Sequence, residues 1–535
     1  MGDIRLLLGD EAIAQGAIDA GISGCYAYPG TPSTEIMEYV QRTPQAAAKT
    51  VHARWSANEK PAMEEGLGMS YAGRRAIVCM KHVGLNVAAD GFVNAAVTGT
   101  HGGLVVVAAD DPSMHSSQNE QDSRFYAKFA FIPSLEPASQ QEAYDMMAYA
   151  FELSETMCVP VLMRITTRLA HSRADVRTAG TARAANPLSM PPDAKRFILL
   201  PGIARRNYQG LLDKQPKFLD LAEQSPFNTF TDGPDKSVGI LAAGITVNYL
   251  RELFPDGVCP HPVLKLSQYP WPKAAIQRLL DSCGTVMVLE EGAPFIEEAL
   301  HGALGLSPTI TGRLTGALPR TGELSSETIA RALGLPTRPG LQPANPVAVL
   351  RARPPRMCDG CPHIDAYKAL LDALGDTGKG HVFADIGCYT LGALPPFEAI
   401  NSCVDMGASI SMAKGAADAG LFPAIAVIGD STFTHSGMTP LLDAVAHGSR
   451  ITVLILDNGT TGMTGGQESL ATGRLDKVCA GLGVPPDRIR AITPLAKQHA
   501  ANVEALKDAI FGNDKGVTVV IASRECIQTA RHKRV

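Results

Sequence analysis

Two strand-like runs in the C-terminal third end in residues that suit a hard cation. Ala424-Ile425-Ala426-Val427-Ile428 runs into Gly429-Asp430-Ser431-Thr432, and Ile451–Leu456 runs into Asp457-Asn458-Gly459-Thr460-Thr461. Asp430 and Asn458 lie twenty-eight residues apart. A carboxylate, a side-chain amide and a main-chain carbonyl at two such ends supply oxygen ligands to one Mg²⁺, which completes its octahedron with phosphate and water. Gly429 lets the backbone approach a diphosphate, and a following helix N-terminus favours its charge. Taken singly, each segment is an ordinary βα turn. The pairing at the ends of two buried runs is what points to a cofactor.

A second constellation is built from sulfur. Cys358-Asp359-Gly360-Cys361-Pro362-His363 is a lone CxxC, a pattern shared by zinc sites, redox pairs and iron–sulfur ligands. A thioredoxin-like pair needs a preceding strand, and the text upstream is proline-rich instead. Cys388, in Asp385-Ile386-Gly387-Cys388, and Cys526, in Arg524-Glu525-Cys526, each follow a strand-like run and complete a set of four. Four thiolates suit Zn²⁺ or a [4Fe–4S] cluster, and spacing alone leaves both open. Cys25, Cys79, Cys158, Cys259, Cys283, Cys403 and Cys479 read as packing residues.

The elements that must position these residues alternate short β-branched runs with longer helical text. Ala76–Met80, Leu104–Ala109, Val159–Ile165, Val238–Ala243, Val286–Leu289, Ala424–Ile428, Ile451–Leu456 and Val517–Ala522 are almost wholly apolar. Such runs suit buried parallel strands, so the fold class is α/β. Breaks in the pattern divide the chain at 1–175, a looser connector 176–236, 237–334, a proline-rich linker 335–355, and 356–535.

Composition narrows the function classes. The 535 residues are 45% hydrophobic and 19% charged, with a net charge of −5, which gives no reason to expect nucleic acid or an anionic membrane as partner. The basic cluster Arg531-His532-Lys533-Arg534 reads as a solvated tail. No apolar run approaches the roughly eighteen residues of a membrane span. Met1-Gly2-Asp3-Ile4-Arg5 does not look like a secretory signal, and Leu6 stands where a myristoylation motif needs a hydroxyl. The expected location is the cytoplasm, where eleven cysteines stay reduced.

Gly429-Asp430-Ser431 with Asn458 resembles the thiamine-diphosphate motif. Met463-Thr464-Gly465-Gly466-Gln467 looks like the text of pyruvate:ferredoxin oxidoreductase and its relatives. Along nearly its whole length the chain resembles the 2-oxoacid:ferredoxin oxidoreductase family, most of all the alpha subunits of its indolepyruvate enzymes. The resemblance implies two transketolase-like, thiamine-diphosphate-binding domains with parallel sheets: a pyrimidine-binding domain over 1–175 and a diphosphate-binding domain over 356–535. Residues 237–334 then resemble a transketolase-C-terminal-like domain. Asp430 and Asn458 would hold Mg²⁺ by side chains and Thr460 by its carbonyl, with Gly429, Ser431 and Thr432 around the diphosphate. The four cysteines match those of one [4Fe–4S] cluster beside the coenzyme.

The resemblance also gives roles to residues that would otherwise be bland. Trp55-Ser56-Ala57-Asn58-Glu59-Lys60 resembles the segment carrying the carboxyl that activates the coenzyme, which singles out Glu59. Tyr28-Pro29-Gly30-Thr31-Pro32-Ser33-Thr34-Glu35 resembles a substrate-side loop in which the Thr31 hydroxyl holds the substrate carboxylate. Arg124, closing the polar stretch from Asp110, aligns with an arginine that pairs the same carboxylate. Read without the family, Thr31 is a turn residue, Glu59–Lys60 a surface pair and Arg124 an ordinary salt bridge. Lys81 and His82, in the matched segment Met80–Asn86, receive no definite role.

The implied reaction is oxidative decarboxylation of a 2-oxoacid to an acyl-CoA, with electrons leaving through the cluster. Met463 stands where the pyruvate enzymes carry a polar asparagine; a flexible apolar side chain suits a bulky arylpyruvate such as indolepyruvate or phenylpyruvate, or simply fills a gap. The family's alpha subunits usually end in a ferredoxin-like segment with CxxCxxCxxxCP runs, whereas this sequence stops nine residues after Cys526. The expected partners are therefore a small gamma-type (beta) subunit and a separate ferredoxin-like or flavin subunit or a soluble ferredoxin, in a hetero-oligomer. The rival reading is a non-oxidative thiamine-diphosphate decarboxylase or carboligase, which has no need of four matched cysteines.

Overall fold

All eight apolar runs fold as strands, within two residues of their sequence-derived bounds, in a computed structural model that describes residues 3–191, 193–254, 256–303, 309–337, 355–378, 381–512 and 515–532. The chain divides into two compact units, Met1–Gln342 and Pro343–Val535. Most of the linker expected over 335–355 lies outside the described residues.

The first unit is built around a seven-stranded sheet. Its order is Gln268–Tyr269, Ser134–Leu135, Val161–Thr166, Leu104–Asp110, Ala76–Lys81, Gly24–Ala27, His52–Trp55. Six strands are parallel, and the antiparallel edge strand Gln268–Tyr269 comes from much later in the chain. Leu104–Asp110 and Ala76–Lys81 are buried at every position, because helices cover both faces. The helix Gln140–Met157 begins where the Ser139 hydroxyl accepts the Glu142 N–H, and it packs along Gly9–Asp19.

A second sheet in this unit has the order Thr309–Thr311, Thr285–Leu289, Gly239–Ala243, Val263–Leu266, Thr229–Thr231. All but the last strand run parallel. The segment 176–236, read as a loose connector, contains two helices, Pro201–Asp213 and Gln215–Glu223. A proline in the first turn of each sets the backbone for a helix rather than breaking one.

The second unit holds a six-stranded sheet of order Ser402–Cys403, Val382–Ala384, Ile425–Gly429, Thr452–Asp457, Thr518–Ser523, Ile489–Ile492, parallel throughout. Two apolar clusters fill its faces, one around Leu370, Val427 and Leu454, the other around Ile428, Val453 and Ile455. Together the three sheets make the α/β fold with parallel thiamine-type domains that the sequence implies. No helix among the described residues is long and apolar enough to cross a membrane.

Candidate functional site

In a parallel sheet all strands point the same way, so the residues just past their C-terminal ends share one edge, where such sheets take ligands. In the second unit Gly429 pairs with Leu456, so Asp430 follows one strand where Asp457 and Asn458 finish its neighbour. Asp457 in turn pairs with Ser523, and Arg524, Glu525 and Cys526 come next. Ala384 pairs with Val427, which sends Asp385-Ile386-Gly387-Cys388 over the same edge. Register alone thus assembles Asp430, Asn458, Cys388 and Cys526.

Asp430 is 2% exposed, and its Oδ2 has no hydrogen-bond partner. Burial first, and the neighbouring Asp457 second, push its carboxyl up to about 7. Among the described residues no lysine or arginine pairs with it. A buried acid with an unsatisfied oxygen and no counter-charge is the donor a hard cation needs, so these residues fit Mg²⁺. The Asn458 Oδ1 accepts the Thr460 N–H at 3.1 Å, and its Nδ2 lies 3.3 Å from His363 Nε2. Thr460 is held by its hydroxyl to the Gln467 carbonyl at 2.9 Å, and the Thr432 hydroxyl donates to the Ile386 carbonyl at 3.0 Å. Ser431 and Thr461 hydroxyls meet at 2.7 Å.

The other three cysteines of the set lie within electrostatic reach of Cys388. Burial and then the thiols of Cys361, Cys526 and Cys358 push Cys388 up to about 12, so the group is close enough for charges on it to interact. Thiols gathered in this way suit a cation or cluster that takes them as thiolates. The CxxC loop turns at Gly360, φ +82°, with the Cys361 N–H donating to the Cys358 carbonyl at 2.9 Å. The Cys526 N–H donates to the Asn458 carbonyl at 3.0 Å, joining the sulfur set to the cation set.

Several supporting residues carry no legible signal in the sequence. Arg524 donates to the Gly360 carbonyl at 2.9 Å and to Asp365 at 2.8 Å, tying the CxxC loop to the strand end beside Cys526. The Tyr389 ring lies against Gly429 and Gly387, where a Cβ would collide with it, and its hydroxyl donates to Asp385. His363 is held neutral by burial, which drives its imidazole down to about 4. Its place two residues after Cys361 was the only available hint.

The first unit presents its candidates at the equivalent edge. Glu59 opens the helix Glu59–Tyr71, is 5% exposed, and packs so tightly on Gly84 that a Cβ there would lie 2.6 Å from Oε1. The Thr31 loop is fixed by the Ser33 hydroxyl on the Gly30 carbonyl (2.8 Å) and the Gly30 N–H on Thr34 (3.1 Å), and it rests on Lys81. Lys81 donates to the Ser116 carbonyl at 2.7 Å. The turn Lys81–Gly84 therefore brings the Thr31 loop and Glu59 to one place. Both ring nitrogens of His82 are buried without a hydrogen-bond partner.

Arg124 is placed otherwise. It is 1% exposed and ion-paired with Asp122 at 2.5 Å and Glu290 at 2.9 Å, with the Glu291 and Ala293 carbonyls on Nη2. Its donors are all taken inside the unit, which leaves none for a substrate carboxylate. The structure thus gives Arg124 the ordinary salt-bridge role of the two the sequence left open.

The comparisons with known proteins agree with this architecture. The family model described as "Pyruvate flavodoxin/ferredoxin oxidoreductase, thiamine diP-bdg" matches residues 15–199. The model "Thiamine pyrophosphate enzyme, C-terminal TPP binding domain" matches 385–522. A 2-oxoglutarate:ferredoxin oxidoreductase from Magnetococcus marinus superposes with a TM-score of 0.51 at 18% identity, over 62% of this chain and 65% of that one, a likeness of fold. Fold and strand-end residues thus define a thiamine-diphosphate enzyme of the 2-oxoacid oxidoreductase class. The indolepyruvate oxidoreductase subunit IorA of Archaeoglobus fulgidus is 39% identical over 98% of this chain and 87% of its own length. That of Methanothermobacter thermautotrophicus is 40% identical over 87% and 77%. The chain belongs to the IorA family of indolepyruvate oxidoreductases.

Proposed function

We propose that the chain, in complex with a small gamma-type (beta) subunit, oxidatively decarboxylates an arylpyruvate such as indolepyruvate or phenylpyruvate: R–CO–COO⁻ + CoA–SH → R–CO–S–CoA + CO₂ + H⁺ + 2e⁻. The observation that carries this reading is the sheet register that sends Asp430, Asn458, Cys388 and Cys526 past one edge, with the CxxC loop tied to that edge by Arg524. A non-oxidative decarboxylase or carboligase would use the first two and have no need of the sulfurs. Relatives named as subunits of indolepyruvate oxidoreductase support the substrate class and the hetero-oligomer.

Thiamine diphosphate, when bound, supplies the carbon nucleophile that makes loss of CO₂ feasible. The chain's own part is positioning and proton handling. Asp430 and Asn458 side chains and the Thr460 carbonyl would hold Mg²⁺, with Gly429, Ser431 and Thr432 lining the approach to the diphosphate. Glu59, in its dry packing against Gly84, holds the proton exchanged with the aminopyrimidine ring. Thr31 donates its hydroxyl to the substrate carboxylate. Met463, 59% exposed, offers an apolar contact to an aryl group. Cys358, Cys361, Cys388 and Cys526 would hold one [4Fe–4S] cluster, which would supply one-electron chemistry beside the coenzyme. The partner suited to such a site is a separate ferredoxin-like or flavin subunit or a soluble ferredoxin. Eleven free cysteines fit a reducing cytoplasm.

Anaerobic purification of the complex tests the reading. The expected result is a brown protein with broad visible absorption and one equivalent of thiamine diphosphate. It should reduce benzyl viologen with arylpyruvates and CoA faster than with pyruvate or 2-oxoglutarate. A colourless protein that releases CO₂ without viologen reduction would favour the non-oxidative rival.

A further inference from the structure

Asp10, Glu35 and His171 form a cluster that none of the chemistry above uses. Asp10 sits in the first turn of the helix Gly9–Asp19, Glu35 in the first turn of Thr34–Gln41, and His171 closes Thr167–His171. One ligand atom from each lies within 4.8 Å of the others. The start of the first helix is held against the third, since a Cβ on Gly9 would collide with the Leu169 carbonyl. Three separate elements are therefore fixed around one point.

Asp10 is fully buried, and neither of its oxygens has a hydrogen-bond partner; the Glu35 Oε2 has none either. His171 Nε2 stands 3.5 Å from that Glu35 oxygen. Among the described residues no lysine or arginine pairs with Asp10 or Glu35. Glu11, next along the first helix, is turned back to accept the Leu8 N–H at 2.9 Å. A fully buried carboxyl beside the half-buried Glu35 needs something positive nearby, a shared proton, the His171 imidazolium or a cation. The imidazole, besides facing Glu35, adds a nitrogen to the two carboxylates and makes up the three donors a metal ion takes. Two oxygens and one nitrogen suit Zn²⁺, Mn²⁺ or Fe²⁺ better than Mg²⁺, which prefers oxygen alone. Small side-chain rotations, chiefly of the half-buried His171, bring the donors to the roughly 3–3.5 Å between neighbouring ligands of one ion.

We propose that Asp10, Glu35 and His171 bind one divalent transition-metal ion of the Zn²⁺ or Mn²⁺ type. Glu35 is the last residue of the Tyr28–Glu35 loop, so the ion pins the base of that loop to the first helix and to the strand end before His171. The site shares no residue with the Asp430 and cysteine sets, and it does not depend on the reaction assigned above.

The test is a Mn²⁺ titration of the chelator-washed full-length chain, without thiamine diphosphate and with excess Mg²⁺, read by the electron spin resonance of free Mn²⁺. Mn²⁺ is chosen because thiolates favour softer ions. Wild type and Asp430→Asn should both bind one Mg²⁺-resistant equivalent. Asp10→Asn and His171→Ala should weaken it by about tenfold or more. His171 is partly exposed, so its variant reports even if Asp10→Asn fails to fold. Wild-type affinity in His171→Ala, or no Mg²⁺-resistant equivalent in wild type, would overturn the site and leave a carboxyl pair sharing a proton.

Discussion

Two buried aspartates end apolar parallel strands in this molecule, and they have opposite fates. Asp110, in the first unit, receives the Arg164 guanidinium at 2.6 Å. Arg164 also binds Glu136, while Arg124 holds Asp122 and Glu290. Asp430, in the second unit, has an acid beside it and no cation. In the first case the polypeptide supplies its own counter-charge, and the strand end becomes a structural junction. In the second it leaves the acid without a protein counter-charge, the arrangement that suits a proton or an added cation. Strand position is the same in both; the counter-charge is what differs.

The largest effect that probes this contrast is expected on the balanced side. Arg164→Met leaves Asp110 and Glu136 buried without their cation and should cost about 3–5 kcal/mol of stability, read by chemical denaturation. Arg124→Met should act the same way and leave the KM for the 2-oxoacid in surviving protein unchanged. A raised KM with unaltered stability would return Arg124 to the substrate. On the unbalanced side, Asp430→Asn should lower viologen reduction at least about a hundredfold with loss of bound coenzyme. Its coenzyme-free melting temperature should be unchanged or higher, because a buried charge is removed. A fall of several degrees would mean that Asp430 has a structural partner after all.

Smaller effects test the packing around the sites. Arg524→Ala should loosen the CxxC loop and reduce visible absorbance per chain, with Arg524→Lys recovering part of it. Gly84→Ala forces Glu59 aside; we expect about a tenfold loss of activity with about 1–3 kcal/mol of destabilisation. The least effect concerns Lys81, whose ammonium burial lowers to about 8 from 10.5, against the opposing pull of Asp111. Between those values the folded chain has released a proton that the unfolded chain keeps. Stability at this position therefore rises with pH across that window and is lowest below pH 8. The difference in melting temperature between wild type and Lys81→Met should narrow or reverse there in favour of wild type.

Much of this fold was legible because fully buried parallel strands must be apolar throughout, and Leu104–Asp110 or Thr452–Asp457 read no other way. Short or half-exposed strands such as His52–Trp55 and Val382–Ala384 lack that constraint and were not singled out. The helices at Pro201–Asp213 and Gln215–Glu223 were lost to their prolines, which look like breaks until their first-turn position is known. Asp430, Asn458 and the cysteines stand out in the sequence because residue type and spacing carry their chemistry, and the register sets Asp430, Asn458, Cys388 and Cys526 past strand ends. Tyr389 and Arg524 were not. A tyrosine gains meaning from the two glycines it fills, and an arginine from a carbonyl 164 residues away.

The edge strand Gln268–Tyr269 carries a practical consequence for cutting the molecule. It caps Ser134–Leu135 from a point well over a hundred residues downstream, so residues 1–175 expressed alone would present an open ladder of amide and carbonyl groups. Such a fragment should recruit strands from its neighbours and form aggregates, whereas a cut made within 338–354 leaves each sheet with its own full complement of strands.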